Sequence, residues 1–332
     1  MLLKESEIRP DELLKGQAER LAADVARLMQ YRSDFVEVPC PACGASTHHA
    51  KYEKYGVPFV QCDRCATVYA NPRPQPQHLA DYYQHSENYA YWNQYIFPAS
   101  EEARRDKIFR PRVQRVLDLC QRFGIDTQTL LEVGAGFGTF CQELLKTQTF
   151  QQVIGIEPTP DLAQTCRDRG ITILEQPIEA VQLSPASINV IVSFEVIEHL
   201  FCPQDFLAKC YELLAPGGLL ILTCPNCKGF DILTLGVQSS AVDNEHLNLF
   251  HPASLSELVQ ACGFQVVETQ TPGQLDAELV RKQVLSGQFS LDEQPFLQEV
   301  LIDQWETMGT AFQQFLTNSG LSSNMLIAAR KP

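Results

Sequence analysis

Apolar and polar positions follow two different rhythms along this chain of 332 residues. In "DELLKGQAERLAADVARLMQYR", Leu13, Leu14, Leu21, Val25 and Leu28 recur at helical spacing and predict an N-terminal helical arm over residues 1–35. Residues 101–123 repeat that rhythm, with Val113, Val116, Leu117 and Leu119 on one stripe. Beyond them the rhythm changes. Short apolar runs at Thr129–Val133, Gln152–Glu157, Ile171–Leu174, Ile188–Phe194, Gly218–Thr223 and Phe264–Thr269 alternate with helical segments. Such alternation predicts an α/β fold, a parallel doubly wound sheet with helices on both faces. The terminal "NMLIAAR" reads as one further strand. Before it, residues 274–319 read as helical, with Leu301, Trp305, Met308, Phe312 and Phe315 on a single face.

Residues 36–72 fit neither rhythm. They are strand-poor and rich in Cys, Pro and Gly. Here "CPAC" (Cys40, Cys43) and "CDRC" (Cys62, Cys65) form two C-x2-C knuckles separated by eighteen residues. Each knuckle lets two sulfurs face one ion, and two knuckles complete a tetrahedral shell. Four protein ligands leave no open position, so the expected ion is a structural Zn2+. Gly44 supplies the tight turn after the first knuckle. Twelve cysteines in a chain without an apolar leader point to metal ligands and buried thiols rather than disulfides. Cys120, Cys141, Cys166, Cys202, Cys210 and Cys262 stand singly, as small core residues do. The domain reading is therefore an arm (1–35), a zinc-ribbon module (36–75), an aromatic and helical connector and lid (76–123), and an α/β domain (124–332) carrying a helical insertion (274–319).

The first strand of the α/β region runs into "LLEVGAGFGTF", a loop with Gly134, Gly136 and Gly138 followed by a helix start. Glycines there let the backbone turn tightly and approach a ligand closely. The dinucleotide fingerprint G-x-G-x-x-G/A is not kept: the glycines read G-x-G-x-G, and Thr139 stands where the last small residue belongs. Glu132 adds a carboxylate that a pyrophosphate would meet unfavourably and a cationic amino group or sulfonium favourably. Glu157 ends the second strand, placed to accept the hydroxyls of a ribose. An NAD-dependent oxidoreductase shares the ribose feature, but the glycine spacing and Glu132 favour S-adenosylmethionine (SAM).

Taken in order, "LLEVGAGFG", "IGIEP", "INVIVSFEVIEHL", "LLAPGGLLILTCPN" and "EHLNLFHPASLSELVQACGF" resemble the class I SAM-dependent methyltransferases over residues 129–332. The N-terminal part, with its four-cysteine ribbon ending in "VYANPRP" and a Tyr-rich helix, is similar to a branch that includes sugar C-methyltransferases. The resemblance implies a seven-stranded sheet of order 3-2-1-4-5-7-6 with the last-numbered strand antiparallel. It also implies binding roles. Glu132, Gly134, Gly136 and Gly138 hold the methionine end of the cofactor, Glu157 the ribose, Gln176 and Ile178 border the adenine, and Phe194 and Glu195 face the cofactor. His199 reads as a capping or packing residue at the start of "EHL". Glu245 and His246 match a catalytic pair on the acceptor side, with His246 as general base. His251, next to Pro252, is expected to cap the following helix. Asp243 stands where the sugar C-methyltransferases carry a Tyr, which leaves O- and N-methylation open.

Composition narrows the acceptor. The formal net charge is −14, and no Lys/Arg run supplies a basic face for nucleic acid. No stretch approaches the roughly 20 apolar residues of a membrane span, and the charged N-terminus lacks the apolar core of a secretory signal. The expectation is a cytoplasmic enzyme acting on a small molecule, for which the resemblance implies a nucleotide- or carrier-linked sugar, with an oligomer possible through the face around Trp305. The competing reading is a SAM-binding, zinc-ribbon module that serves recognition or assembly without catalysis.

Overall fold

Between and after the two cysteine pairs the chain folds back and forth in β1 (His48–Lys54), β2 (Val57–Cys62) and β3 (Val68–Ala70), all antiparallel. The computed structural model describes residues 3–332. These strands correct the strand-poor expectation for 36–72. β1 is an edge strand, largely exposed, whose sequence "HHAKYEK" carries no apolar alternation to read. Backbone pairing with β2 holds it in place instead.

The main sheet has seven strands. β4 (Thr129–Val133), β5 (Gln152–Ile156), β6 (Thr172–Leu174), β7 (Ile188–Phe194) and β8 (Leu214–Pro225) run parallel. β11 (Asn324–Arg330) lies antiparallel between β8 and β10 (Gln265–Gln270). The order β10-β11-β8-β7-β4-β5-β6 is the order the resemblance implies. β7 and β8 are buried almost throughout, as their unbroken Ile, Val and Leu runs require of strands covered on both faces. Reversal of strand order at β4 opens a crevice at the carboxyl ends of β4 and β7, where an α/β sheet takes its ligand.

A two-stranded patch joins the two sheets. β9 (Asn248–Leu249), in the loop between β8 and β10, pairs antiparallel with β3 and becomes the fourth strand of the cysteine module. The Ala70 amide donates to the Leu247 carbonyl at 2.9 Å alongside it. The "EHLNLF" segment is thus held by the module built around the cysteines.

The N-terminal arm forms the helix Asp11–Met29. Its fully buried Asp24 accepts hydrogen bonds from the Ser86 hydroxyl (2.6 Å) and from the Glu87 and Asn88 amides (3.0 and 2.9 Å). Those amides begin the short helix Glu87–Tyr91, so the arm caps the Tyr-rich connector. In the insertion, the expected single face breaks at Gln304, where the helix Trp305–Asn318 starts anew. Met308 and Phe315 are exposed, and Gly309, Gln313 and Leu316 are buried instead. Gln313 turns the helix: it accepts from the Ala277 amide at 3.0 Å and donates to Asp276 at 2.7 Å. No helix among the described residues is long and apolar enough to cross a membrane.

Candidate functional site

At the end of β4 the backbone enters the left-handed region at Gly134, Gly136 and Gly138, with φ of 80°, 54° and 69°. The close neighbours differ. A Cβ on Gly138 would lie 2.4 Å from Ile171 Cδ1, whereas one on Gly136 would meet nothing within 4 Å. Gly138 serves packing, and Gly136 leaves space open above the loop. Glu157 braces this loop. Its carboxylate accepts from the Gly136 amide (2.8 Å) and from the Thr159 amide (2.9 Å), and burial raises its pKa. Glu132 lies beneath, buried, and receives the Cys141 thiol at 2.9 Å; burial pushes its pKa up to about 8. Cys166 donates to the Gly136 carbonyl at 3.2 Å. Two thiols that look like anonymous core residues in the sequence therefore support the loop. The connector covers it from outside, where Phe97 stacks on Phe137 with ring centres 3.8 Å apart.

Beyond β6, Gln176 is half-buried and Ile178 is buried in the core. Phe194 packs against Phe140 and under the Arg112 guanidinium. Glu195 adopts a left-handed conformation (φ 56°), strained for a residue with a Cβ. Its carboxylate accepts from Thr223 (2.6 Å), Asn324 (3.0 Å) and Arg112 (3.3 Å). These groups line a cavity of 330 Å³ that also reaches Arg104 and Arg115.

The loop that leads into β9 is ordered by its own polar groups. Asp243 accepts from the amides of Glu245 and His246, each at 2.8 Å. Where the resemblance offers a Tyr, this chain uses an aspartate to close the turn. Glu245 is buried and accepts from Tyr82 (2.7 Å) and Tyr89 (2.9 Å), hydroxyls supplied by the connector. Burial, then the neighbouring Asp243, raise its pKa, while the two hydroxyls oppose the shift. His246 Nδ1 sits 2.9 Å from the Ala241 carbonyl and 3.3 Å from Asp243, so the proton resides on Nδ1 and Nε2 keeps its lone pair. The His199 ring packs edge-on against His246 at 4.7 Å and places Nδ1 3.2 Å from the Glu245 carbonyl. Of the capping and packing roles expected of His199 the structure shows packing, with partners from residues 83, 245 and 246, which only the tertiary fold brings near. His251 caps the helix Pro252–Ala261, as expected, and its Nε2 meets the Cys65 carbonyl at 2.7 Å.

The four cysteines converge. Cys40 and Cys65 sulfurs are 3.5 Å apart, Cys43 and Cys62 sulfurs 3.6 Å, and all four lie within 4.8 Å of one another. A tetrahedral ion with bonds of about 2.3 Å separates its sulfurs by about 3.8 Å, so the cluster fits zinc.

Residues 101–269, just over half of the chain, match the family model described as a methyltransferase domain. The chain belongs to this methyltransferase family. Among curated relatives, the chain is 29% identical over 142 residues to a probable S-adenosylmethionine-dependent methyltransferase of Mycolicibacterium smegmatis, covering 42% of this chain and 53% of the relative. It is 33% identical over 102 residues to a ubiquinone biosynthesis O-methyltransferase of Caulobacter, covering 29% of this chain and 40% of the relative. The chain spans about half the length of the curated relatives it matches. A crystal structure of a SAM-dependent methyltransferase, possible histamine N-methyltransferase, from Thermotoga maritima superposes with a TM-score of 0.47 at 16% identity, over 73% of this chain and 98% of that one.

Proposed function

We propose that this methyltransferase moves a methyl group from SAM to a small-molecule acceptor, a nucleotide- or carrier-linked sugar. The observation that carries the reading is the open left-handed turn at Gly136, braced by Glu157 at the mouth of the sheet crevice. Glu157 keeps lone pairs for the ribose hydroxyls, and Gln176 and the turn at Ile178 border the adenine. Glu132, with its raised pKa, lies below the methionine end held by Gly134, Gly136 and Gly138, and Phe194 and Glu195 bound the same end from β7. The sugar acceptor is supported by the resemblance of the ribbon and the "EHL" loop. The Cys40, Cys43, Cys62 and Cys65 shell holds a structural Zn2+ that fixes the loop through β3 and His251.

SAM is already activated, so the chain's task is positioning. The acceptor's oxygen, nitrogen or carbon attacks the methyl carbon, the carbon–sulfur bond breaks, and its electron pair stays on sulfur. His246 Nε2, when it carries no ion, takes the acceptor's proton, with Asp243 and the Ala241 carbonyl fixing the tautomer. Glu245 positions the loop from the tyrosine clamp. Isothermal titration of the zinc-loaded chain with SAM and S-adenosylhomocysteine tests the reading: saturable binding of both is expected, and absence of both refutes it. With an acceptor in hand, His246→Ala that leaves methylation unchanged would refute the base assignment alone.

A further inference from the structure

Behind the His199–His246 pair lies a carboxylate that the proposed chemistry does not use. Glu198 is fully buried, and neither of its carboxylate oxygens has a hydrogen-bond partner among the described residues. An ionised carboxylate left bare in the interior is strongly unfavourable. His199 Nε2 faces it at 3.9 Å, too far for a hydrogen bond. The proton of His199 is held on the other nitrogen, whose neighbours are the Glu245 carbonyl at 3.2 Å and the Tyr83 hydroxyl at 3.3 Å. His246 repeats the arrangement, with its Nδ1 on the Ala241 carbonyl. The two imidazoles and the Glu198 carboxylate therefore lie close together, and the cation that bears on Glu198, Arg112, hydrogen-bonds to Glu195 instead. Ligand atoms from Glu198, His199 and His246 lie within 4.8 Å of one another.

We infer that Glu198, His199 and His246 bind one divalent transition-metal ion. Backbone carbonyls on the far ring nitrogens are the support that metal-ligating histidines have, since they fix the tautomer and orient the ring. Two nitrogens and one carboxylate suit Zn2+, Mn2+ or Fe2+ better than Mg2+, which favours oxygen and water. Bonds of about 2.0–2.2 Å require the three side chains to close by about 1 Å. Three protein ligands leave positions open on the half-buried histidine side, where oxygen atoms of the acceptor or water would complete the shell. The inference goes beyond methyl transfer from SAM and does not need it. It does bear on the base, because Nε2 of His246 cannot hold both an ion and a proton: the ion-loaded protein gives up His246 as base.

The test is metal content. The full-length chain is dialysed against buffered Zn2+ and Mn2+, and total bound metal is measured by mass spectrometry alongside the free Mn2+ signal in electron paramagnetic resonance. Mn2+ is a poor match for the thiolate shell and so reports on the nitrogen–oxygen site. Two ions per wild-type chain are expected, one of them lost in Glu198→Gln, whose affinity for the second ion falls by more than about 100-fold, beyond the loss typical of changes outside the ligand shell. SAM titration of the same samples shows whether the variant is folded and whether the cofactor reading stands. Should Glu198→Gln fail to fold, His199→Asn replaces it. One ion or fewer on the wild-type chain, or equal metal on wild type and folded variant, overturns the inference.

Discussion

Removing the hydroxyl of Tyr82 is the sharpest test of how the acceptor loop is held. That hydroxyl donates to Glu245 at 2.7 Å and accepts from Asn244 Nδ2 at 3.1 Å, and all three residues are buried. Tyr82→Phe removes a hydrogen bond to a carboxylate, worth about 1.5–3 kcal/mol, and orphans the Asn244 amide, at about 1–3 kcal/mol more. The combined local loss is about 2.5–6 kcal/mol. Tyr89→Phe removes only the 2.9 Å bond to Glu245 and falls near the lower term, about 1.5–3 kcal/mol. A chain of several modules need not unfold in one step, so the loss is best read locally, by hydrogen exchange in the peptide spanning 243–250. At about 1.4 kcal/mol per factor of ten, Tyr82→Phe lowers protection there by roughly 100-fold or more. Exposed Tyr95, whose ring packs on Tyr91, is the control, and Tyr95→Phe leaves the loop unchanged. The effect also depends on pH. Glu245 has a raised folded pKa, so its contribution is most favourable below the ordinary carboxyl range and is lost as pH rises through the raised value. The tyrosine hydroxyls oppose that loss, so the gap between wild type and Tyr82→Phe widens with increasing pH. Unchanged protection at 243–250, or a gap that narrows as pH rises, would refute the clamp.

Three further outcomes follow from the same geometry. Gly136→Ala carries only left-handed strain of about 1–2 kcal/mol but fills the space above the loop; Gly138→Ala collides with Ile171 and Cys166. Calorimetry should find Gly136→Ala folded with SAM binding weakened at least about tenfold, and Gly138→Ala markedly less stable. Asp231, buried beside Asp276, has its pKa pushed up to about 7, so its contribution is fully present below the ordinary carboxyl range and is lost as pH rises through about 7. Asp231→Asn should therefore raise the melting temperature at pH 8 relative to wild type, with the gain shrinking towards pH 5. Cys40→Ser should lower zinc content and, because β9 hangs on β3 and His251 on Cys65, raise exchange in 243–251 while SAM affinity changes little.

How far the sequence reaches depends on how local the determining physics is. β4 and β7 keep the boundaries their apolar runs announce, because a strand buried on both faces is written in consecutive residues. The left-handed glycine turn, the Glu157 brace beneath it and the convergence of the cysteine knuckles are legible for the same reason: each arrangement is written in fixed spacing within a few positions. β1 is not, since an exposed edge strand is specified by its partner's backbone and leaves no pattern of its own. Nor is the turn of the insertion helix, which follows Gln313 and its bonds to residues 276 and 277 rather than the apolar count. The acceptor site shows the same division more strongly. "DNEHLNLFHP" displays Glu245, His246 and His251, yet their partners arrive from far along the chain: Tyr82 and Tyr89 on Glu245, His199 on His246, and the Cys65 carbonyl on His251. Asp243 looked like a lost tyrosine and is the residue that closes the turn. Glu198 carries no signal within "EVIEHL", and its two bare oxygens become visible only once the fold has buried them beside two histidines whose protons point elsewhere. Local spacing thus locates the crevice, whereas the groups that set protonation and metal affinity within it depend on contacts no short motif encodes.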